Sequence, residues 1–189
     1  MTKEKFAGII SVILDPLVEA PILFLLLFLT KSTAPLWLLP IIIFVDAIFP
    51  ALFMIYGLRV GFITDWETTD KEERYGFNLV WLFGTFLSLF LVYLFGDDFL
   101  LKLLLIFAVL LGLYTLITFF WKISGHMASN TAFVLFINLF FGWRFWPLVF
   151  LLPLVAWARL IRNKHDLWEI LGGVVLSSLV ILCGVFSLF

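Results

Sequence analysis

Residues 99–120, FLLKLLLIFAVLLGLYTLITFF, carry a single charge, Lys102, over a run long enough to cross a bilayer. About 20 mostly apolar residues suffice, because roughly 30 Å of hydrocarbon is crossed at about 1.5 Å per residue. On either side the pattern recurs. Apolar segments are predicted at 7–30, 37–57, 77–95, 99–120, 127–142, 144–160 and 168–188. The fifth and sixth are short and separated only by Gly142-Trp143-Arg144, which reads as a tight helical hairpin. Asp15, Pro16, Glu19 and Pro21 interrupt the first, which predicts either a broken span or an interfacial helix leading into one. The expected fold is therefore all-α: a polytopic transmembrane bundle with six to seven spanning segments.

Composition agrees with that class. The chain is 64% hydrophobic and 19% aromatic, only 13% charged, with a mean hydropathy of +1.18. A soluble domain is about half apolar and about a quarter charged. The apolar runs are too continuous for separate cores, so residues 1–189 read as one membrane domain, with N-terminal helices over 1–60. A formal net charge of −1 gives no reason to expect nucleic acid. The single Cys183 excludes an intrachain disulfide. The N-terminus has a basic start and a short apolar stretch but no small-residue cleavage site, so it is expected to stay in the mature protein.

The polar residues gather in three clusters: Thr64 to Arg74, Lys122 to His126, and Arg159 to Glu169. Two crossings separate each from the next, so all three fall on one side of the membrane. The loops on the other side are minimal. Both histidines of the chain lie in these clusters, and histidine is the usual side chain for proton transfer and a competent nucleophile. Ser124-Gly125 before His126 reads as a turn feeding a helix N-terminus, whose free N–H groups suit a phosphate. If a helix starts near Asp166, Glu169 lies one turn from His165 and can orient its ring. The acidic stretch 65–73 reads as a solvated loop, apart from Lys71 and the adjoining Arg74. Arg162 and Lys164 read equally well as membrane-edge anchors. Asp15, Glu19 and Asp46 lie within apolar segments, where carboxylates are costly; they either support the basic pocket from below or, for Asp15 and Glu19, sit at the interface.

These residues resemble the motifs of the type 2 phosphatidic acid phosphatases, a superfamily of membrane lipid phosphatases. The family's PSGH is similar to Ile123-Ser124-Gly125-His126. Its SRxxxxxHxxxD is similar to Ala158-Arg159, five residues, His165, three residues and Glu169, with Gly173 where the family often has glycine. Its KxxxxxxRP is matched least, since Lys71 and Arg74 stand three apart with no proline after them. The resemblance covers roughly residues 60–188 and implies a phosphatase-like catalytic core over 61–189. It implies hydrolysis of a lipid phosphate or diphosphate without metal or other cofactor. His165 would attack phosphorus, Glu169 would orient it, and His126 would protonate the leaving group. Arg159, Lys71, Arg74, Ser124 and Gly125 would hold the phosphoryl oxygens, with Lys122 as an extra cation. The expected substrates are polyprenyl phosphate or diphosphate, phosphatidic acid or phosphatidylglycerophosphate. Family members place the site on the extracytoplasmic face, the orientation expected here in a plasma membrane, although the distribution of lysine and arginine alone would put it inside. The alternative is a catalytically weakened relative that binds or transports anionic lipid. The oligomeric state is left open.

Overall fold

The computed structural model describes residues 2–68 and 70–189, with the side chain of Lys71 outside the described part. Among the described residues there is helix and no strand. The helices are α1 (Lys3–Ile13), α2 (Pro16–Lys31), α3 (Leu38–Ile43), α4 (Phe49–Val60), α5 (Lys71–Phe95), α6 (Asp98–Thr118), α7 (Gly125–Phe140), α8 (Leu151–Ile161) and α9 (Leu167–Leu188). A π-helical turn, Phe44–Ile48, joins α3 to α4, and a 3-10 turn, Trp146–Phe150, leads into α8.

Five stretches are long and apolar enough to cross a membrane: Lys3–Lys31, Leu38–Val60, Glu72–Phe95, Asp98–Thr118 and Leu167–Leu188. That is a multi-pass membrane architecture. The helices α7 and α8, with 16 and 11 residues, are shorter than a full span and form the expected hairpin. Its turn contains Gly142 and Trp143, both at positive φ, and the Trp143 N–H returns 2.7 Å to the Asn138 carbonyl.

Local sequence explains the breaks. Asp15 caps α2 by accepting from the Leu17 N–H at 2.9 Å, and Pro16 occupies the first helical position, where a missing N–H costs nothing. The chain therefore breaks at residues 14–15 and α1 ends there. Its last carbonyls lose their intrahelical donors, and in an apolar surrounding they need others. Side chains of α7 supply two: Asn130 Nδ2 donates to the Leu14 carbonyl at 3.0 Å, and His126 Nε2 lies 3.1 Å from the Ser11 carbonyl. The break thus ties the N-terminal helices to the start of α7.

One apolar core runs from Ala20 and Leu27 on α2 through Leu103 and Leu104 on α6 and Phe136 on α7 to Ile181 and Val185 on α9. Asp46 is fully buried in the π turn, where it accepts from the Thr85 hydroxyl of α5 at 2.7 Å. The expectation that Asp46 supports the basic pocket is corrected by this placement: it pins α5 to the π turn and does not line the cavity described next.

Candidate active site

The starts of α2, α5 and α7, the second half of α6, the loop 66–68, the end of α8 and His165 just before α9 surround a cavity of about 120 Å³. Its mouth is polar, formed by Asp15, Glu67, Arg74, His126, Arg159 and His165. Deeper in, Leu23, Met54, Phe107, Leu110 and Phe133 make it apolar.

The three clusters meet because of close backbone packing. The Ser124 N–H donates to the Glu169 carbonyl at 2.9 Å, joining the cap of α7 to the first turn of α9. Gly173, one turn on, lets the helices touch: a Cβ there would stand 2.6 Å from the Ser124 carbonyl oxygen and 3.1 Å from the Ala128 nitrogen. Gly125 is equally enclosed, with the Tyr114 hydroxyl 2.7 Å from where its Cβ would be.

Helix α9 begins with a reciprocal cap. Asp166 accepts from the Glu169 N–H at 2.8 Å, and Glu169 Oε2 returns to the Asp166 N–H at 3.3 Å. The same Oε2 lies 2.8 Å from His165 Nδ1. Since a carboxylate only accepts, Nδ1 carries the proton and the Nε2 lone pair is left for chemistry. Burial, followed by the charges of Arg159, Arg74 and Lys122, presses the His165 pKa from 6.5 down to about 2. The ring is neutral near pH 7, the state a nucleophile needs.

Arg159 is 1% exposed, so it is no membrane-edge anchor. Its two terminal nitrogens face the carboxylate of Glu67, at 3.0 Å and 3.4 Å, and its buried Nε has no partner. Arg162 also pairs with Glu67, and Lys164 Nζ lies 3.4 Å from Glu67 Oε2. This corrects two sequence readings. The stretch 65–73 is not simply a solvated loop, because the Glu67 side chain is 9% exposed and sits among three cations. Arg162 and Lys164 are directed at the site. Burial works to raise the Glu67 pKa, but Arg159 and Arg162 prevail and hold it below the ordinary range. Neither the loop's composition nor its spacing to Arg159 announced this contact, which spans 92 positions of sequence.

The loop bearing Glu67 is held by Arg74. Its Nε and Nη2 donate to the Thr68 carbonyl at 3.2 Å and 3.0 Å, and its Nη1 to the Ile123 carbonyl at 3.4 Å. Thr68 has φ +44°, a left-handed conformation that a β-branched residue resists, and this grip offsets the strain. Arg74 thus reaches the cavity with three of its N–H groups already directed at backbone.

The remaining expected ligands divide. Gly125 and His126 line the cavity; Ser124 does not, and its hydroxyl caps α7 by accepting from the Met127 N–H at 3.4 Å. Lys122 stands outside the lining, and burial with the Arg74 charge lowers its pKa. Lys71 opens α5, but its side chain lies outside the described residues. His126 Nε2 donates to the Ser11 carbonyl, and Asp15 Oδ2 lies 3.6 Å from the same nitrogen. Asp15 in turn accepts from Trp66 Nε1 at 3.3 Å. Ser11 and Asp15 come from the N-terminal helices, outside the stretch covered by the motifs.

No family model matches the chain, and no curated protein or solved structure matches it.

Proposed function

We propose that this chain is a membrane-embedded, metal-independent phosphatase that hydrolyses a lipid phosphate or diphosphate through a phosphohistidine. One observation carries the reading: a neutral histidine, oriented through Nδ1 by Glu169 at 2.8 Å, shares an apolar-bottomed cavity with the buried Arg159 and with His126. The His165 Nε2 lone pair attacks phosphorus, the new P–N bond forms and the bond to the lipid oxygen breaks. Burial and the Arg159 charge hold the His126 pKa down at about 3, so its ring is neutral in the empty site. It takes a proton from the bound phosphate's own hydroxyl and passes it to the departing oxygen, with Nδ1 the exchanging atom because Nε2–H faces the Ser11 carbonyl. Water then attacks the phosphohistidine and releases inorganic phosphate, its proton passing through His126 to that phosphate. Arg159 meets the phosphoryl oxygens as a planar fork, and phosphoryl transfer depends chiefly on such positioning and charge stabilisation. The apolar depth of the cavity favours a phosphate borne on a lipid, presented on the extracytoplasmic face.

The test is phosphate release by purified protein in detergent with EDTA, over a panel of lipid phosphates, beside His165→Ala. EDTA-resistant release that the variant abolishes supports the mechanism. No release from a folded wild type overturns it.

The second reading, a binder or carrier of anionic lipid, is favoured by one feature. Glu67 already occupies Arg159, Arg162 and Lys164. Lipid capture without turnover in the same assay supports that reading.

A further inference from the structure

Below the cationic mouth the cavity has a second polar tier. On α2, Glu19 follows Asp15 by four residues; on α5, Asn78 follows Arg74 by four and Trp81 by seven; on α7, Ser129 follows His126 by three. Each of these helices starts at the mouth and runs away from it. At about 1.5 Å per residue, Ser129 lies roughly 4.5 Å and Glu19 and Asn78 roughly 6 Å deeper than the mouth, with Trp81 roughly 10 Å along α5, one turn below Asn78. Glu19, Asn78, Trp81 and Ser129 all line the cavity.

The tier is incompletely satisfied. Ser129 Oγ donates to Glu19 Oε2 at 3.0 Å, but Glu19 Oε1, Asn78 Nδ2 and Trp81 Nε1 are buried with no hydrogen-bond partner. Glu19 and Asn78 are 4% and 3% exposed. Unpaired polar groups in an apolar surrounding are costly, about 1–3 kcal/mol each by mutational measures. Three on the lining of one cavity, contributed by two separate helices, are a set of open valences for a ligand.

We propose that Glu19, Asn78 and Trp81 form a polar subsite that takes the ester or hydroxyl oxygens of a glycerol-based lipid phosphate, and that it sets specificity. The proposal rests on the lipid-phosphate reading above. Its chemistry is matched group by group. Two donors one turn apart, Asn78 Nδ2 and Trp81 Nε1, suit the two ester carbonyls of a diacylglycerol phosphate, which only accept. One acceptor, Glu19 Oε1, suits a hydroxyl, which a monoacyl glycerol phosphate carries; phosphatidate engages the two donors alone. In a glycerol phosphate these oxygens lie roughly 4–6 Å from phosphorus, at about 1.5 Å per covalent bond. That is the depth of Glu19 and Asn78 beneath the mouth, and Trp81 stands one turn deeper on α5. A phosphate on an unbroken isoprenoid chain presents only hydrocarbon there and leaves all three groups unpaired. Sites built to bond an oxygen discriminate against analogues lacking it.

The experiment compares phosphatidate with a polyisoprenyl monophosphate at equal mole fraction in detergent micelles, using full-length protein. Turnover is measured for the wild type, Trp81→Phe and Asn78→Leu. Binding of both lipids to His165→Ala, alone and combined with Trp81→Phe, is measured by thermal shift. Trp81→Phe removes the N–H with little change of shape, and its melting curve reports folding. The expected result is a preference for phosphatidate of about tenfold or more in kcat/KM, cut severalfold in each variant. Equal turnover, isoprenoid preference, or a ratio unmoved by both variants overturns the subsite. If the wild type releases phosphate from neither lipid, the phosphatase reading fails, and the binding arm decides the subsite by itself. Preferential stabilisation by phosphatidate that Trp81→Phe diminishes then supports it; equal stabilisation by both lipids, or none, overturns it.

Discussion

The carboxylate of Glu67 lies across the guanidinium of Arg159, with Oε1 3.0 Å from Nη1 and Oε2 3.4 Å from Nη2. Two oxygens on two parallel N–H prongs is also how arginine meets a phosphoryl group. On the proposed function, Glu67 and a substrate phosphate compete for the same donors, and the loop carrying Glu67 yields before Arg159 serves a substrate.

Glu67→Gln is expected to tighten inhibition by inorganic phosphate by about tenfold, the effect of about 1.4 kcal/mol of relieved competition. The same change leaves Arg159 and Arg162 short of a counter-charge, while Lys164 keeps Asp65, and lowers the melting temperature. Inhibition kinetics and a melting curve read both. Unchanged phosphate inhibition would show that Glu67 does not compete.

Glu169 serves two partners with one oxygen, His165 Nδ1 and the Asp166 N–H. Glu169→Gln keeps the length but loses the charge that fixes the His165 tautomer, so kcat is expected to fall by about two orders of magnitude or more. Glu169→Asp keeps the charge but is one methylene short of both partners. It is expected to lose stability as well, by about 1 kcal/mol, the usual worth of a helix cap. Steady-state kinetics beside chemical denaturation separate the two; a Glu169→Gln enzyme with wild-type kcat would remove Glu169 from the mechanism.

Burial and neighbouring cations hold the folded His165 pKa near about 2, against 6.5 in an open chain. Below pH 6.5 the unfolded chain binds a proton that the folded site refuses, so stability falls as pH falls. The slope contributed by this one group approaches about 1.4 kcal/mol per pH unit and vanishes above pH 6.5. Glu67 acts in the same direction at lower pH: its depressed pKa adds stability above 4.5 that is lost as pH falls through the folded value. Melting curves from pH 7.5 to 5 are therefore expected to fall more steeply for wild type than for His165→Ala. Parallel curves would mean that His165 is protonated in the folded protein.

Gly173→Ala would place a Cβ 2.6 Å from the Ser124 carbonyl oxygen. That obstacle is backbone, so α9 has to move away from α7 and carry His165 and Glu169 with it. A destabilisation of about 1–3 kcal/mol, the usual cost of overpacking, and a loss of turnover exceeding the loss of folded protein are expected. Normal melting and normal turnover would show that the contact is loose.

Much of the site was legible because its parts are local. Glu169 on His165, the helix start at Ser124-Gly125 and the break at Asp15-Pro16 all depend on residues within four positions of one another, where helix geometry alone fixes what meets. The convergence of three clusters was legible too, although α7 and α8 bring the chain back as a hairpin of two helices shorter than a span rather than as two full crossings. Glu67 was not legible. An acidic residue in a polar loop looks solvated until the loop's path is known, and that path is set by Arg74 gripping the Thr68 carbonyl. Asn78 and Trp81 were hidden for another reason. Within an apolar helix, nothing short of the packing tells which face meets a cavity and which meets lipid.

The sequence by itself determined a multi-pass helical membrane protein, because hydrocarbon demands long apolar helices and their length and charge pattern can be read directly. It also determined the one-turn pairing of His165 with Glu169. Only the tertiary structure decided that Ser11 and Asp15 stand beside His126, that Glu67 fills the fork of Arg159, and that unpaired polar atoms belong to residues lining the cavity. These contacts join residues roughly ninety to more than a hundred positions apart, and no local rule of spacing reaches that far: they exist because whole helices pack against one another.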